Sequence, residues 1–177
     1  EPEAMEDLLD ILAISSADYL IAQAKAGADV LKIFESWAQG LSPLMFQKLV
    51  IQPTVDIIER VRSAGVDVPI IGFPRASGLN MSAFLKQVTI QGIAASTDVS
   101  LTELRKLTGP RLAIQGNLDP LALRIGGEVL RAAVEHVISS STGPHIFNLG
   151  HGVSPDVKIK NIHAVVDHLR TGEGDYI

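Results

Sequence analysis

The sequence of 177 residues contains no cysteine. It therefore excludes a disulfide, a zinc site with thiolate ligands and a cysteine nucleophile in this chain. No apolar run approaches the roughly 20 residues that span a bilayer, so a membrane helix is not expected. The 15 Lys and Arg residues are outnumbered by 20 Asp and Glu residues. This balance argues against a protein that binds nucleic acid by covering phosphates with basic side chains.

Three motifs that often mark a chemical function are also missing. The sequence has no Walker phosphate loop, no Gly-x-Gly-x-x-Gly after a strand and no His-Glu-x-x-His pair. His163 and His168 lie five residues apart, so they would not share one face of a helix. The sequence therefore predicts no metal site in this chain.

Short β-branched apolar runs alternate with longer amphipathic segments, which is the pattern of an α/β protein. The first helix is predicted over about 2–26 and the second over about 43–64, where Pro53 should kink or break it. The remaining predictions are strands at 29–34, 68–73, 92–95, 111–115 and 145–149, and helices at 79–88, 100–107, 128–139 and 158–170.

Five βα units fit either part of a closed (β/α)8 barrel or an open doubly wound sheet. Met5 already lies inside the first helical pattern, so Glu1-Pro2-Glu3 is not a native start. We therefore expect a fragment, which favours part of a barrel. Residues 1–170 would form one portion of a single barrel domain, and 171–177 would be a frayed tail.

In both architectures, ligands bind at the loops that leave the carboxyl ends of the strands. His151 lies in such a loop between two glycines and could contact a ligand or simply belong to a turn. Ser36 could hydrogen-bond a ligand or the local backbone, and Phe34 could line a pocket or join the core. Arg75 suits a carboxylate or phosphate, although surface arginine is commoner. Helix capping is the simplest role for three aspartates in such loops, Asp98, Asp119 and Asp156.

Four segments of the chain resemble the uroporphyrinogen decarboxylase family, in that family's order and approximate spacing. They read Leu-Lys-Ile-Phe-Glu-Ser-Trp-Ala at 31–38, Ile-Ile-Gly-Phe-Pro-Arg at 70–75, Gln-Gly-Asn-Leu-Asp-Pro at 115–120 and Phe-Asn-Leu-Gly-His-Gly at 147–152. The resemblance covers nearly the whole chain. It implies a (β/α)8 TIM barrel of which this chain would hold roughly the last five βα units.

The resemblance also implies a function. The family removes the carboxyl groups of the four acetate side chains of uroporphyrinogen III, without a cofactor, and yields coproporphyrinogen III in haem biosynthesis. Ser36 and His151 resemble its substrate-binding hydroxyl and histidine, and Phe34 resembles a pocket-lining aromatic residue. Arg75 is a further possible binding residue. The catalytic aspartate and an arginine cluster would lie in the missing amino-terminal part, so no catalytic residue is expected here and the chain alone should be inactive.

The same resemblance implies a homodimer for the intact enzyme, with the tetrapyrrole as its partner, in the cytoplasm or in a plastid. Two alternatives stay open. One is a corrinoid-linked methyltransferase of the same superfamily with unusual metal ligands, since its usual zinc site needs cysteine. The other is a non-catalytic α/β module that binds an anion with Arg75 and His151.

Overall fold

A computed structural model describes residues 2–172 and 174 of the chain. The chain divides into two compact units, Glu1–Ile93 and Ala94–Ile177. In both units, parallel strands alternate with helices, so the predicted α/β class is confirmed. Within the described residues, no helix combines the length and the apolar character needed to cross a membrane.

The first unit begins with the longest helix of the described residues. Its elements are α1 (Pro2–Lys25), β1 (Leu31–Glu35), α2 (Pro43–Phe46), α3 (Gln52–Ser63), β2 (Ile70–Pro74), α4 (Met81–Gln87) and the first two residues of β3 (Gly92–Ala94). β1 pairs with β2 in parallel over its whole length, from Leu31 opposite Ile70 to Glu35 opposite Pro74. β2 is buried along its whole length and pairs with β3 on its other side. The apolar run at 68–73 predicts a strand covered on both faces, and the burial of every residue of β2 agrees with it.

The interruption predicted in the second helix exists, but it precedes Pro53. Between α2 and α3, residues Gln47–Ile51 form a π-helical turn, in which the Gln52 N–H donates to the Gln47 carbonyl. Proline has no N–H to give to the α-helical ladder, and a π-turn shifts that ladder by one residue. The chain stays helical from 43 to 63, so Pro53 changes the hydrogen-bond pattern and does not end the helix.

The second unit has α5 (Leu101–Thr108), β4 (Ala113–Gln115), α6 (Pro120–Ile125), α7 (Gly127–Ser140), β5 (His145–Ile146) and α8 (Ile159–Thr171). β4 and β5 pair in parallel, and a bridge between Leu118 and Leu149 extends their ladder past the regular strands. The predicted strand at 145–149 is therefore regular only over its first two residues. Of the predicted tail, Thr171 closes α8, whereas 173 and 175–177 lie outside the described residues.

Each unit has its own apolar core. Phe46, Phe84 and Ile70 are at most 1 % exposed in the first unit, and Leu104, Leu118 and Leu130 are equally buried in the second. The contributing side chains come from both helices and strands, which is how layers of an α/β fold bury their facing surfaces.

One arginine in each unit fixes the loop between a helix and the next strand. Arg62, in the last turn of α3, donates from Nη1 to the carbonyls of Val66 (2.7 Å) and Val68 (2.9 Å). Arg105, in the last turn of α5, does the same for Gly109 (2.9 Å) and Leu112 (2.7 Å). Hydrogen bonds from a charged donor to backbone carbonyls are among the stronger ones, so these arginines hold the strand entrances.

Arg105 also donates from Nη2 to the Pro144 carbonyl at 2.8 Å, which ties the entrance of β4 to that of β5.

We expect Arg105→Met to lower the free energy of unfolding by about 2–3 kcal/mol, because the backbone carbonyls that Arg105 binds lose their charged donor. Urea unfolding measures this effect. Arg111→Met removes an exposed arginine nearby and should stay within about 0.5 kcal/mol of the parent protein. Equal losses in the two variants would contradict the role given to Arg105.

Candidate functional site

The carboxyl end of β1 exposes an aromatic ring. Phe34 is 63 % exposed, and its ring meets the Phe73 ring of β2 edge to face, with centroids 5.9 Å apart. Phe73 is buried. The buried Phe73 ring therefore supports Phe34, most of which stays exposed. The predicted role of Phe34 as a pocket wall stays a prediction.

Ser36 lies in the loop after β1, and the loop after β2 holds it. The Arg75 Nε donates to the Ser36 carbonyl at 2.8 Å, and Nη2 reaches the Gln39 side chain at 3.3 Å. The same guanidinium lies over the Trp37 ring, 5.4 Å from its centroid. Arg75 therefore supports the loop that carries Ser36, a role the sequence analysis missed. Its predicted contact with a ligand stays a prediction.

The turn after Arg75 has an unusual backbone. Ala76 has φ of 54°, the left-handed region, and it is the single non-glycine residue there among those described. This conformation costs an L-residue about 1 kcal/mol or more. The Arg75 N–H donates to the Glu35 carbonyl at 3.0 Å and so fixes the chain just before Ala76. Backbone strain of this kind is common at ligand sites. Here it lies next to Arg75 and so beside the candidate binding residues.

His151 lies in the loop after β5, in the second unit. Its side chain is exposed, and its Nδ1 accepts a hydrogen bond from the Gly152 N–H at 2.7 Å. Because Nδ1 acts as an acceptor, the neutral ring carries its proton on Nε2. His151 is therefore set to donate from Nε2 to an acceptor such as a carboxylate.

The backbone before His151 is closely packed. Gly150 is buried, and its N–H donates to the Leu118 carbonyl at 2.9 Å. A Cβ on Gly150 would lie 2.5 Å from the Thr97 backbone nitrogen. The glycine before the histidine is thus required by close approach of two backbones, whereas a Cβ on Gly152 would meet nothing within 4 Å.

Asn117, in the loop after β4, ties that loop to the one after β3. Its side-chain amide donates to the carbonyls of Ser96 (2.8 Å) and Val99 (2.7 Å). The sequence analysis did not select Asn117, although it lies in the Gln-Gly-Asn-Leu-Asp-Pro segment. An amide with two donors can satisfy two carbonyls at once, so this residue holds the neighbouring loop in shape.

The three aspartates have different roles. Asp119 caps α6 by accepting from the Leu121 N–H at 2.8 Å, as predicted. The capping prediction is wrong for the other two, because Ser100 caps α5 and Lys158 is the N-cap residue of α8. Asp98 instead accepts from the Ser96 hydroxyl at 2.5 Å. For Asp98 the sequence could not decide, since Ser100, two residues later, suits a cap equally well.

Asp156 joins the His151 loop to α6. It accepts from the Ser154 hydroxyl and pairs with Arg124 Nε at 2.5 Å. The Ser154 hydrogen bond, followed by smaller contributions that include the Arg124 charge, lowers the pKa of Asp156. A lowered carboxyl pKa means that the contribution of Asp156 to stability is present above its unfolded pKa and is lost as pH falls through its folded pKa.

Comparison with known proteins identifies the family. A family model described as uroporphyrinogen decarboxylase (URO-D) matches residues 1–172. The chain belongs to the uroporphyrinogen decarboxylase family. The resemblance inferred from the four loop segments is thereby confirmed.

Curated relatives named uroporphyrinogen decarboxylase include proteins of Maricaulis maris (42 % identical over 170 residues), Phenylobacterium zucineum (46 % over 169) and Caulobacter vibrioides (44 % over 173). These alignments cover 95–97 % of this chain and 49 % of each relative. The chain thus spans about half the length of the curated relatives it matches.

Family membership does not by itself assign the site residues. Three of the four candidate residues, Phe34, Ser36 and Arg75, lie together at the ends of β1 and β2 in the first unit. His151 stands at a strand end of the second unit. Among the residues that the structure describes, no group of three His, Asp or Glu side chains could hold a metal ion.

Gly150 and Gly152, on either side of His151, provide a matched pair of variants. Gly150→Ala should lower the free energy of unfolding by about 2–3 kcal/mol, because its Cβ would overlap the Thr97 backbone. Gly152→Ala has space around the new methyl group and should leave stability unchanged or raise it by up to about 1 kcal/mol. Urea titration of both variants checks this. A tolerated Gly150→Ala would mean that the loop is not held against Thr97.

Proposed function

We propose that the complete protein containing this chain is a uroporphyrinogen decarboxylase, a carboxy-lyase that acts without a cofactor. The proposed reaction converts uroporphyrinogen III into coproporphyrinogen III by loss of the four acetate carboxyls. The observation that carries the proposal is His151, in the Asn-Leu-Gly-His-Gly segment, whose Nδ1 is occupied by the Gly152 N–H. That arrangement leaves an Nε2–H donor suited to a carboxylate of the substrate.

The other candidate residues fit a ligand that is both aromatic and acidic. The exposed face of Phe34 offers an apolar surface for the pyrrole rings. The hydroxyl of Ser36 can donate a hydrogen bond to a carboxylate or a ring substituent. These groups bind and orient the substrate, which contributes to rate by holding the reacting group in place.

The chemical step needs an electron acceptor and a proton donor. Loss of CO₂ breaks a C–C bond and leaves its electron pair on the acetate carbon, and a protonated pyrrole can accept that pair. The former acetate carbon then takes up a proton and becomes a methyl group, and the pyrrole loses the proton it had gained, so the net change replaces each carboxylate by a hydrogen. General acid catalysis and charge stabilisation are the contributions expected from the protein, and we assign them to residues outside this chain.

We also propose that the chain is the carboxyl-terminal part of a (β/α)8 barrel. Among the described residues, no strand pairs with the outer edge of β1, and a groove of about 440 Å³ lies between this edge, α1 and α3. Leu12 and Tyr19 of α1 line the groove and are more than half exposed. An unpaired strand edge next to an apolar helix face favours occupation by a further strand.

Three properties of the intact protein complete the proposal. We propose that it is a homodimer, that it acts in the cytoplasm (in a plastid for a plant or alga) and that its partner is the tetrapyrrole. Sedimentation of the complete gene product measures its oligomeric state, and a monomer at micromolar concentration would contradict the dimer.

The complete gene product should convert uroporphyrinogen into coproporphyrinogen, and His151→Asn should raise KM about tenfold, because the Nε2–H donor to a charged carboxylate is lost. Ser36→Ala should raise KM by a smaller factor, since a single hydroxyl is removed. The porphyrinogen products are oxidised to porphyrins, and chromatography of these porphyrins measures KM for both variants. His136→Asn, at an exposed position of α7, is the matched control and should leave KM unchanged.

The residues 1–177 alone should produce no coproporphyrinogen, because the proposed acid and the arginine cluster are not in this chain. Mixing this chain with a separately expressed remainder of the gene product should restore measurable turnover. Turnover by residues 1–177 alone would overturn the assignment of catalysis to the remainder. Stoichiometric zinc in the purified protein would instead favour the methyltransferase alternative.

A further inference from the structure

Strand β1 carries a lysine on the face that it shares with Phe34. Side chains alternate along a strand, so Lys32 and Phe34 point to the same side. The Lys32 Nζ lies 4.5 Å from the centroid of the Phe34 ring and 4.9 Å from that of Phe73. The two rings are nearly perpendicular, at 81°. The ammonium group therefore sits in a corner formed by two aromatic rings.

This is an uncommon environment for a lysine. The Lys32 side chain is half-buried, and burial lowers the pKa of its ammonium because part of its water shell is removed. Aromatic faces attract a cation and offset part of this cost. A partly desolvated ammonium also attracts a carboxylate more strongly than a fully hydrated one does, since the local dielectric constant is lower.

We propose that Lys32 is a carboxylate-binding residue of the substrate site, an inference that rests on the proposed function. Lys32 and Phe34 lie two residues apart on β1, so the cation lies on the same strand face as the exposed ring, and Ser36 follows the strand end. A porphyrinogen combines apolar rings with acidic side chains. Its ring system packs on Phe34 while one of its carboxylates pairs with Lys32.

A purely structural role for Lys32 predicts different behaviour. If the ammonium only braces Phe34 and Phe73, its removal changes stability and the packing of the rings. Affinity would then fall by the same factor at every salt concentration. A direct ion pair predicts instead that the loss of affinity shrinks as salt rises, because salt screens the charge that Lys32 supplies.

The test uses the complete gene product and two stable oxidised porphyrins, uroporphyrin and coproporphyrin, the second of which lacks the acetate carboxyls. Lys32→Met keeps the apolar stem and removes the charge, whereas Lys32→Arg keeps the charge. Lys48→Met is the matched control, because Lys48 is exposed and makes a weak surface ion pair, with its Nζ 3.9 Å from Glu6 Oε1. Fluorescence titration at low and high salt measures each Kd.

Lys32→Met should weaken uroporphyrin binding about tenfold at low salt and less at high salt. The Kd of Lys32→Arg for uroporphyrin should stay within about threefold of the parent value, and the Kd of Lys48→Met should equal the parent value. An equal loss for coproporphyrin supports a propionate as the partner of Lys32, and a loss for uroporphyrin alone supports an acetate. Unchanged uroporphyrin affinity in Lys32→Met, or a loss independent of salt, overturns the inference.

A second measurement needs no variant. An amine-acylating reagent at about pH 8 modifies lysines, and peptide mass spectrometry reports the rate at each position. Uroporphyrin should slow the acylation of Lys32 several-fold and leave that of Lys48 unchanged. Equal Lys32 rates with and without bound uroporphyrin would overturn the inference.

The two proposals fail in different ways. A complete gene product that neither binds uroporphyrin nor decarboxylates uroporphyrinogen contradicts the proposed function, and the inference on Lys32 falls with it. An active protein whose Lys32→Met variant binds uroporphyrin as tightly as the parent contradicts only the inference on Lys32.

Discussion

The parallel register of β1 and β2 is the constraint on which the first unit depends. Five consecutive residue pairs end both strands at the same level, so their loops leave side by side. The Arg75 N–H then bonds the Glu35 carbonyl, and the guanidinium reaches the Ser36 carbonyl. Phe34, Ser36 and Arg75 are neighbours because backbone hydrogen bonds align the strands, and side-chain contacts only refine an arrangement that the sheet has already made.

The second unit achieves the same result with shorter strands and more side-chain bonds. β5 has only two regular residues, and the bridge between Leu118 and Leu149 continues the alignment toward His151. The Asn117 amide holds the loop after β3, and Gly150 lies in close contact with Thr97 of that loop. The orientation of His151 at the end of so short a strand depends on the close contact of Gly150 with Thr97, which leaves no room for a Cβ before the histidine.

Local pattern predicted most of the secondary structure, because apolar spacing reports which side of an element is buried. The features it missed depend on partners distant in sequence. Arg105 binds a carbonyl 39 residues away, and periodicity carries no information about that contact. The short helix Pro120–Ile125 was not among the predicted helices, because six residues are too few to show a helical period. Asp156 pairs with Arg124 across a loop, so its sequence position alone favoured a cap.

The sequence by itself determined the α/β class, the family and the identity of the polar and aromatic residues at the strand ends, since these follow from periodicity and from four ordered segments. Only the tertiary structure decided what each residue does there. It turned Arg75 toward the Ser36 loop, left Nε2 of His151 as the donor and put the Lys32 ammonium between two rings. Those outcomes depend on distances between segments that are brought together only by folding, because hydrogen bonds and cation–π contacts act over a few ångströms.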